Sequence, residues 1–294
     1  MLSRKIATFA PENRKRTTKS DMAHYTNLFL GAFFLLLVMS CSSSTKWNDL
    51  EFYNVEKLEQ LTEAPIKEDE EEDEGDFAPI RENSNREMDV KVDMQFIKSD
   101  NEANENVCNL INGQLIEILL KQSSDLSIEE AVEHYIEDVK AEFHGDEVAN
   151  IYYDHLTGRA EYGKKNVLNY RMVEEVFTGG AHPCTITTIL RFDAMTGEYI
   201  SLDQVFPTSN QMTLRNMLLE KLMKDNDVQT IDELHEKGFL EMIDMFVSSN
   251  FALREDSIEF YYNEYDIAPY AYGPSTICLG YEEVKPIIST IFEK

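Results

Sequence analysis

Residues 167–202 read VLNYRMVEEVFTGGAHPCTITTILRFDAMTGEYISL, and this run decides the fold. Stretches 167–177 and 184–193 are strand-like, rich in β-branched and aromatic residues, and they flank Gly179 and Gly180. Paired glycines end the first strand and allow positive φ in the connection. The polar turn at Thr196-Gly197 then leads to a third strand-like piece, 198–202. Strands joined by short turns, with no room for a crossover helix, pair antiparallel.

The same alternation extends upstream. Met88, Val90, Val92, Met94 and Phe96 alternate with polar residues, the pattern of a half-buried strand. Val107, Leu110, Ile111, Leu115, Ile118 and Leu119 keep helical spacing, and a second helix starts at Ser127, where Ser127 and Glu130 form a capping-box pattern. Strands are expected near 149–155 and 159–163, with Thr157-Gly158 as a turn between them. Downstream, helices are expected at 211–223 and 230–247, strands near 250–254, 257–262 and 275–280, and a last helix over 282–292. Helix pairs set among hairpins, without regular βαβ alternation, give an α+β fold with a largely antiparallel sheet. The division expected is an N-terminal subdomain over 87–182 and a C-terminal one over 183–294.

Before residue 87 the chain changes character. Arg4, Lys5, Arg14, Lys15, Arg16 and Lys19 precede the apolar run 28–39, LFLGAFFLLLVM, the order found in an export signal. About a dozen apolar residues are too few to span a bilayer, which takes roughly 20. Cys41 follows Leu37-Val38-Met39-Ser40 and resembles a lipobox cysteine, so residues 1–40 are expected to be a lipoprotein signal peptide and Cys41 the lipidated residue. Residues 41–86 are then an acidic, disordered tether: the run EDEEEDE at 68–74 and few apolar side chains cannot bury enough surface to offset chain entropy. The protein is expected outside the cytoplasm, held to a membrane by lipid, and on the periplasmic side because no acidic cluster immediately follows Cys41.

Charge excludes one function class. The 294 residues carry 27 basic and 55 acidic side chains, a net charge of −28. Residues 1–40 hold six basic and two acidic residues, so without them the balance becomes −32. A nucleic-acid binder needs a basic face; a basic partner would be attracted instead.

No catalytic or cofactor signature stands out. Cys108, Cys184 and Cys278 follow Cys41, an odd number that leaves at least one thiol unpaired. Cys184 and Cys278, both in strand-like runs, could pair, or all three could be small buried hydrophobes. His182 and Cys184 invite a Cys/His nucleophile, yet residues i and i+2 of a strand share a face without a base holding a thiol, and Pro183 intervenes. His144, Asp146 and His155 match no familiar metal spacing. The tyrosine-rich stretch 261–272 is the better candidate, because tyrosine offers contact area with a polar tip. Tyrosines that pack the end of a sheet would look the same.

Two blocks carry a resemblance. Phe177-Thr178-Gly179-Gly180-Ala181-His182-Pro183 leads through a strand to the turn Asp193-Ala194-Met195-Thr196-Gly197. Some sixty residues later comes Tyr265-Asp266-Ile267-Ala268-Pro269-Tyr270-Ala271-Tyr272-Gly273. In this order they resemble the RsiV-like extracellular domain family, and residues 88–180 resemble the accessory domain of the deacetylase PdaC. The resemblance implies a non-catalytic receptor. In the anti-sigma factor the domain binds lysozyme, after which the protein is cleaved and a sigma factor released. The turn and loop in these blocks are the expected binding face: Gly179, Gly180, His182, Tyr265, Pro269, Tyr270, Tyr272 and Gly273. No cofactor or metal is implied, and the expected partners are a lysozyme-like protein or peptidoglycan. With a lipid anchor in place of a sigma-binding segment, only the extracellular role would carry over.

Overall fold

The computed structural model describes residues 50–63, 86–143, 151–179 and 181–293. The fold is α+β, built on two sheets. The first has five strands in sequence order: β1 (Glu51–Glu63), β2 (Arg86–Lys98), β3 (Ile151–Tyr162), β4 (Val167–Phe177) and β5 (Cys184–Asp193). Neighbours are antiparallel except β2 and β3, which run parallel. Their crossover contains α1 (Glu105–Leu115), a π-helical turn at Ile116–Leu120, and α2 (Ile128–Glu142). The second sheet is the antiparallel meander β6 (Phe251–Leu253), β7 (Ser257–Tyr262) and β8 (Ser275–Gly280). Between the sheets in sequence lie α3 (Leu202–Val205), α4 (Gln211–Asp225) and α5 (Ile231–Glu236), and after them α6 (Tyr281–Val284) and α7 (Thr290–Glu293).

Each sheet has its own core. On the first, Val90, Val92, Met94 and Phe96 of β2 meet Ile111 and Leu115 of α1 and Ala131, Val132 and Ile136 of α2. The start of α2 is fixed as its sequence suggests. Ser127 Oγ accepts from Glu130 N at 3.3 Å, and Glu130 Oε2 accepts from Ser127 N at 3.0 Å. On the second, Leu214, Leu218 and Leu222 of α4 pack with Phe251, Phe260 and Tyr262.

The structure departs from the sequence expectations at several points. The largest is β1: the proposed tether contains a strand paired residue by residue with β2, from Glu51↔Lys98 to Glu63↔Arg86. Val55 and Lys57 are both buried in it, and Lys57 pairs with Glu133 of α2 and lies 3.5 Å from Glu59. A buried charge matched by carboxylates reads in sequence as solvated, which hides a core position. β5, which follows the expected division at 182/183, pairs with β4 in the first sheet. Thr157-Gly158 is no turn; β3 runs straight through it. Gly158 is required because a Cβ there would sit 2.2 Å from the hydroxyl of Tyr170, which crosses it to donate to Gln95 O.

The piece at 198–202 makes a single bridge, Phe192↔Tyr199, before α3 begins. The helix expected at 230–247 ends at Glu236, because Gly238 takes φ +81° just beyond it. Pro286 interrupts the last helix, leaving the single turns α6 and α7. Cys184 and Cys278 are not paired: both are exposed free thiols, and Cys108 is a buried one. Cys41, with the expectation of lipidation, lies outside the described residues, as do His144 and Asp146.

The two sheets meet along a seam of buried side-chain amides. β5 pairs with β4 on one side, and on its outer edge asparagine side chains take the place of a further strand at Thr187 and Ile189. Asn250 Oδ1 accepts from Ile189 N at 2.6 Å and its Nδ2 donates to Thr187 O at 2.7 Å. Asn169 of β4 does the same for Leu253 of β6, with both bonds at 3.0 Å. Between them Arg191 is fully buried without a carboxylate. Its guanidinium donates to the carbonyls of Ile189 (2.9 Å), Phe251 (2.8 Å), Ser249 (3.1 Å) and Ile200 (3.1 Å), and to the Tyr199 hydroxyl. Burial pushes its pKa down to about 10, which leaves it charged at neutral pH.

Candidate functional site

The loop from β7 to β8 is built outward from Asn263. Its side chain accepts from Thr187 N at 2.8 Å and donates to Thr187 O at 3.1 Å, fastening the loop to the edge of β5. Asp266 Oδ2 accepts from Asn263 N at 2.8 Å and Asp266 N donates back to Asn263 O at 3.0 Å. This tight turn leaves Tyr265 at φ +67°, a left-handed backbone that a tyrosine seldom adopts, and the residue is 61 % exposed. Pro269 then opens a single 3₁₀ turn, Tyr270–Tyr272, closed by Gly273 at φ +67°.

The two sequence blocks converge here. His182 lies flat on Tyr270, ring centroids 3.7 Å apart and planes within 15°. Tyr265 stands beside Tyr270 at 5.9 Å, tilted by 28°. The His182 tautomer follows from its partners: Nδ1 faces the Pro183 carbonyl at 2.9 Å, which can only accept, so Nδ1 carries the proton. Nε2 then accepts from the Tyr265 hydroxyl at 3.2 Å.

Not every expected residue joins this stack. Tyr272 turns away, edge-on to Phe239 at 5.5 Å, where a Cβ on Gly238 would come within 3.1 Å of its ring. Pro269 and Gly273 shape the loop. Gly179 takes φ +94° at the end of β4, and Gly180 lies outside the described residues.

Reasoning from sequence missed the part of the surface supplied by the first sheet. Tyr153 of β3 stacks on His155 at 4.9 Å and lies 5.9 Å from Phe177 of β4. The Tyr270 hydroxyl is raised in pKa first by burial and then by Glu264, Tyr265, Cys184 and Tyr153, which puts the loop within electrostatic reach of this strip. The only prior signal was the alternation that sets Tyr153 and His155 on one face of a strand.

The environment of Cys184 opposes nucleophilic chemistry. Burial raises its thiol pKa, and Glu264 and Glu174 raise it further, so the thiolate is disfavoured. On the helix-covered face of the first sheet, Asp154 accepts from the Tyr135 hydroxyl at 3.0 Å. Asp154 and Glu174 are both held above the usual carboxyl range, mainly by burial, with Asp154 adding to the effect on Glu174 and Lys121 opposing it on both. Among the described residues no cluster of three His, Cys, Asp or Glu side chains is placed to hold a metal ion. Nor is any helix among them long and apolar enough to cross a membrane.

Comparison with known proteins fits this architecture. Residues 203–282 match the family described as "Protein of unknown function (DUF3298)". A stretch of 117 residues, 39 % of the chain, is 27 % identical to the peptidoglycan-N-acetylmuramic acid deacetylase PdaC of Bacillus subtilis and spans 25 % of that enzyme's length. A crystal structure of a DUF3298 family member from Bacteroides fragilis superposes with a TM-score of 0.65 at 23 % identity, covering 83 % of this chain and 96 % of the other. One from Pseudomonas aeruginosa superposes with a TM-score of 0.54 at 13 % identity, covering 81 % and 94 %. A DUF3298 domain is therefore present over residues 203–282, from α3 into α6, in a fold shared with solved members of that family.

Proposed function

We propose that the chain is a non-catalytic, extracytoplasmic binding module of the RsiV-like kind. In this reading it is lipidated at Cys41 and takes a basic, lysozyme-like protein as its ligand. The observation that carries this is the convergence of two segments, distant in sequence, into one exposed aromatic stack, His182 on Tyr270 beside Tyr265. Exposed tyrosines on a pinned loop suit a protein interface, since rigid rings lose little entropy on binding. The net charge of −28 favours a basic ligand. The match to part of a wall-modifying enzyme favours work at the cell envelope. The module would act by capture, serving as inhibition of, or tolerance to, a wall-degrading enzyme.

The test is binding of residues 42–294, which retain β1, to an animal-type lysozyme at low and near-physiological salt. Saturable binding at both, weakened by Tyr270→Ala or His182→Ala, is expected. Binding only at low salt and indifferent to those changes would reduce the interaction to attraction between opposite charges. The exposed stack also suits a sugar face, so peptidoglycan is the second reading. Its sign is binding to isolated wall fragments that salt does not weaken.

A further inference from the structure

The aromatic stack is one half of a wider face. Tyr153, on β3, and Phe177, at the end of β4, come from the first sheet. His182 precedes β5, and Tyr265 and Tyr270 belong to the β7–β8 loop of the second. Beside them Glu264 sits in the tight turn, and Glu175 faces His155 across the β3–β4 pair, next to Tyr153 and Phe177. Neither carboxylate has a lysine or arginine partner among the described residues. The guanidinium groups of Arg171 and Arg254 are taken up elsewhere, by Glu259 and by Glu161 with Glu259.

We propose that this composite face, Tyr153, Phe177, His182, Tyr265 and Tyr270 with Glu264, is a cation-accepting site that receives an arginine or lysine side chain of the partner. The inference rests on the binding role proposed above and names the chemistry of its central contact. An aromatic ring presents a negative face, and a cation above it is held more strongly when a carboxylate lies at the rim. The negative field is already felt in the free protein. Burial first, and then Glu264, raise the pKa of the Tyr270 hydroxyl and of the Cys184 thiol, the latter with a further contribution from Glu174. Because the rings come from both sheets, the site exists only while the seam between them is closed.

The experiment measures fluorescence anisotropy of a labelled hexa-arginine peptide, and of its uncharged citrulline counterpart, on the full chain at near-physiological salt. Wild type is compared with Tyr153→Ala, Tyr270→Leu, Glu264→Gln and the control Glu117→Gln, an exposed acidic residue on the π-helical turn. The arginine peptide should lose about fivefold in affinity with each of the first three and none with the control. The citrulline peptide should bind at least about tenfold more weakly than the arginine one. Thermal unfolding of each variant confirms that the fold is kept, and Tyr270→Leu retains bulk while removing the π face.

Equal weakening by Glu117→Gln would mean diffuse charge and overturn the site. Equal binding of the citrulline peptide would overturn it in favour of an uncharged, sugar-like occupant. Indifference to Tyr153→Ala would overturn its composite nature. Peptide binding as expected without any lysozyme binding would keep the cation site and remove only the lysozyme reading.

Discussion

The seam and the aromatic stack both bring polar side chains from two sheets together, and they treat them in opposite ways. In the seam, Asn169, Asn250 and Arg191 are at most 8 % exposed, and their amides and guanidinium groups meet backbone partners. Among the described residues no buried side-chain nitrogen or oxygen lacks a partner. In the stack, the rings of His182, Tyr265 and Tyr270 lie against one another at the surface, and Tyr265 spends its hydroxyl on His182 alone. A buried polar group must be matched within the protein or it costs stability. An exposed one is free to be matched by something else. That difference assigns structure to the first set and recognition to the second.

The contrast breaks most readily at Arg191. Arg191→Leu removes the guanidinium donor from the carbonyls of Ile200, Ser249 and Phe251 and should cost about 1–3 kcal/mol for each carbonyl left unsatisfied, read in urea unfolding. A loss under about 1 kcal/mol would mean that water enters and the seam is plastic.

A second, smaller effect concerns the carboxyl groups under α2. Burial raises the pKa of both Asp154 and Glu174 above the unfolded value. The folded state therefore binds protons more tightly, and the stability this contributes is complete below the unfolded carboxyl range and lost as pH rises through the folded pKa. Glu174→Gln should accordingly stabilise the protein at pH 7, by on the order of 1 kcal/mol, and lose that advantage toward pH 4. Thermal unfolding at the two pH values decides it; a gain that is the same at both would assign the effect to packing.

The smallest change in stability is expected at the surface. Tyr270→Leu should alter unfolding by no more than about 0.5 kcal/mol while reducing binding. A large loss of stability there would move the stack to the structural side of the comparison.

Much of the fold was legible because its elements obey one rule at a time. β4 and β5 alternate between glycine and polar turns and fall at the expected bounds, and α2 begins at its capping box. β1 was illegible for a physical reason: its inward face includes Lys57, whose charge is answered by Glu133 on a helix 76 residues away. Gly158 looked like a turn because the Tyr170 ring that occupies its missing side chain belongs to the next strand. For the site, the 177–183 and 265–273 blocks pointed to His182, Tyr265 and Tyr270, and these do meet. Tyr272 was drawn off by Phe239. Phe177 opened the first block without being singled out, and Tyr153 carried only the alternation of its strand, because their pairing depends on the β3–β4 register.

β1 also sets how the N-terminal part of the chain is joined to the domain. It is the outermost strand, held along its whole length by the register from Glu51↔Lys98 to Glu63↔Arg86 and by its lysine–glutamate pairs. A proteolytic cut between Glu63 and Arg86 would divide the polypeptide without separating its pieces. Residues before the cut would stay bound as a complementing strand, released only when the sheet itself is peeled apart.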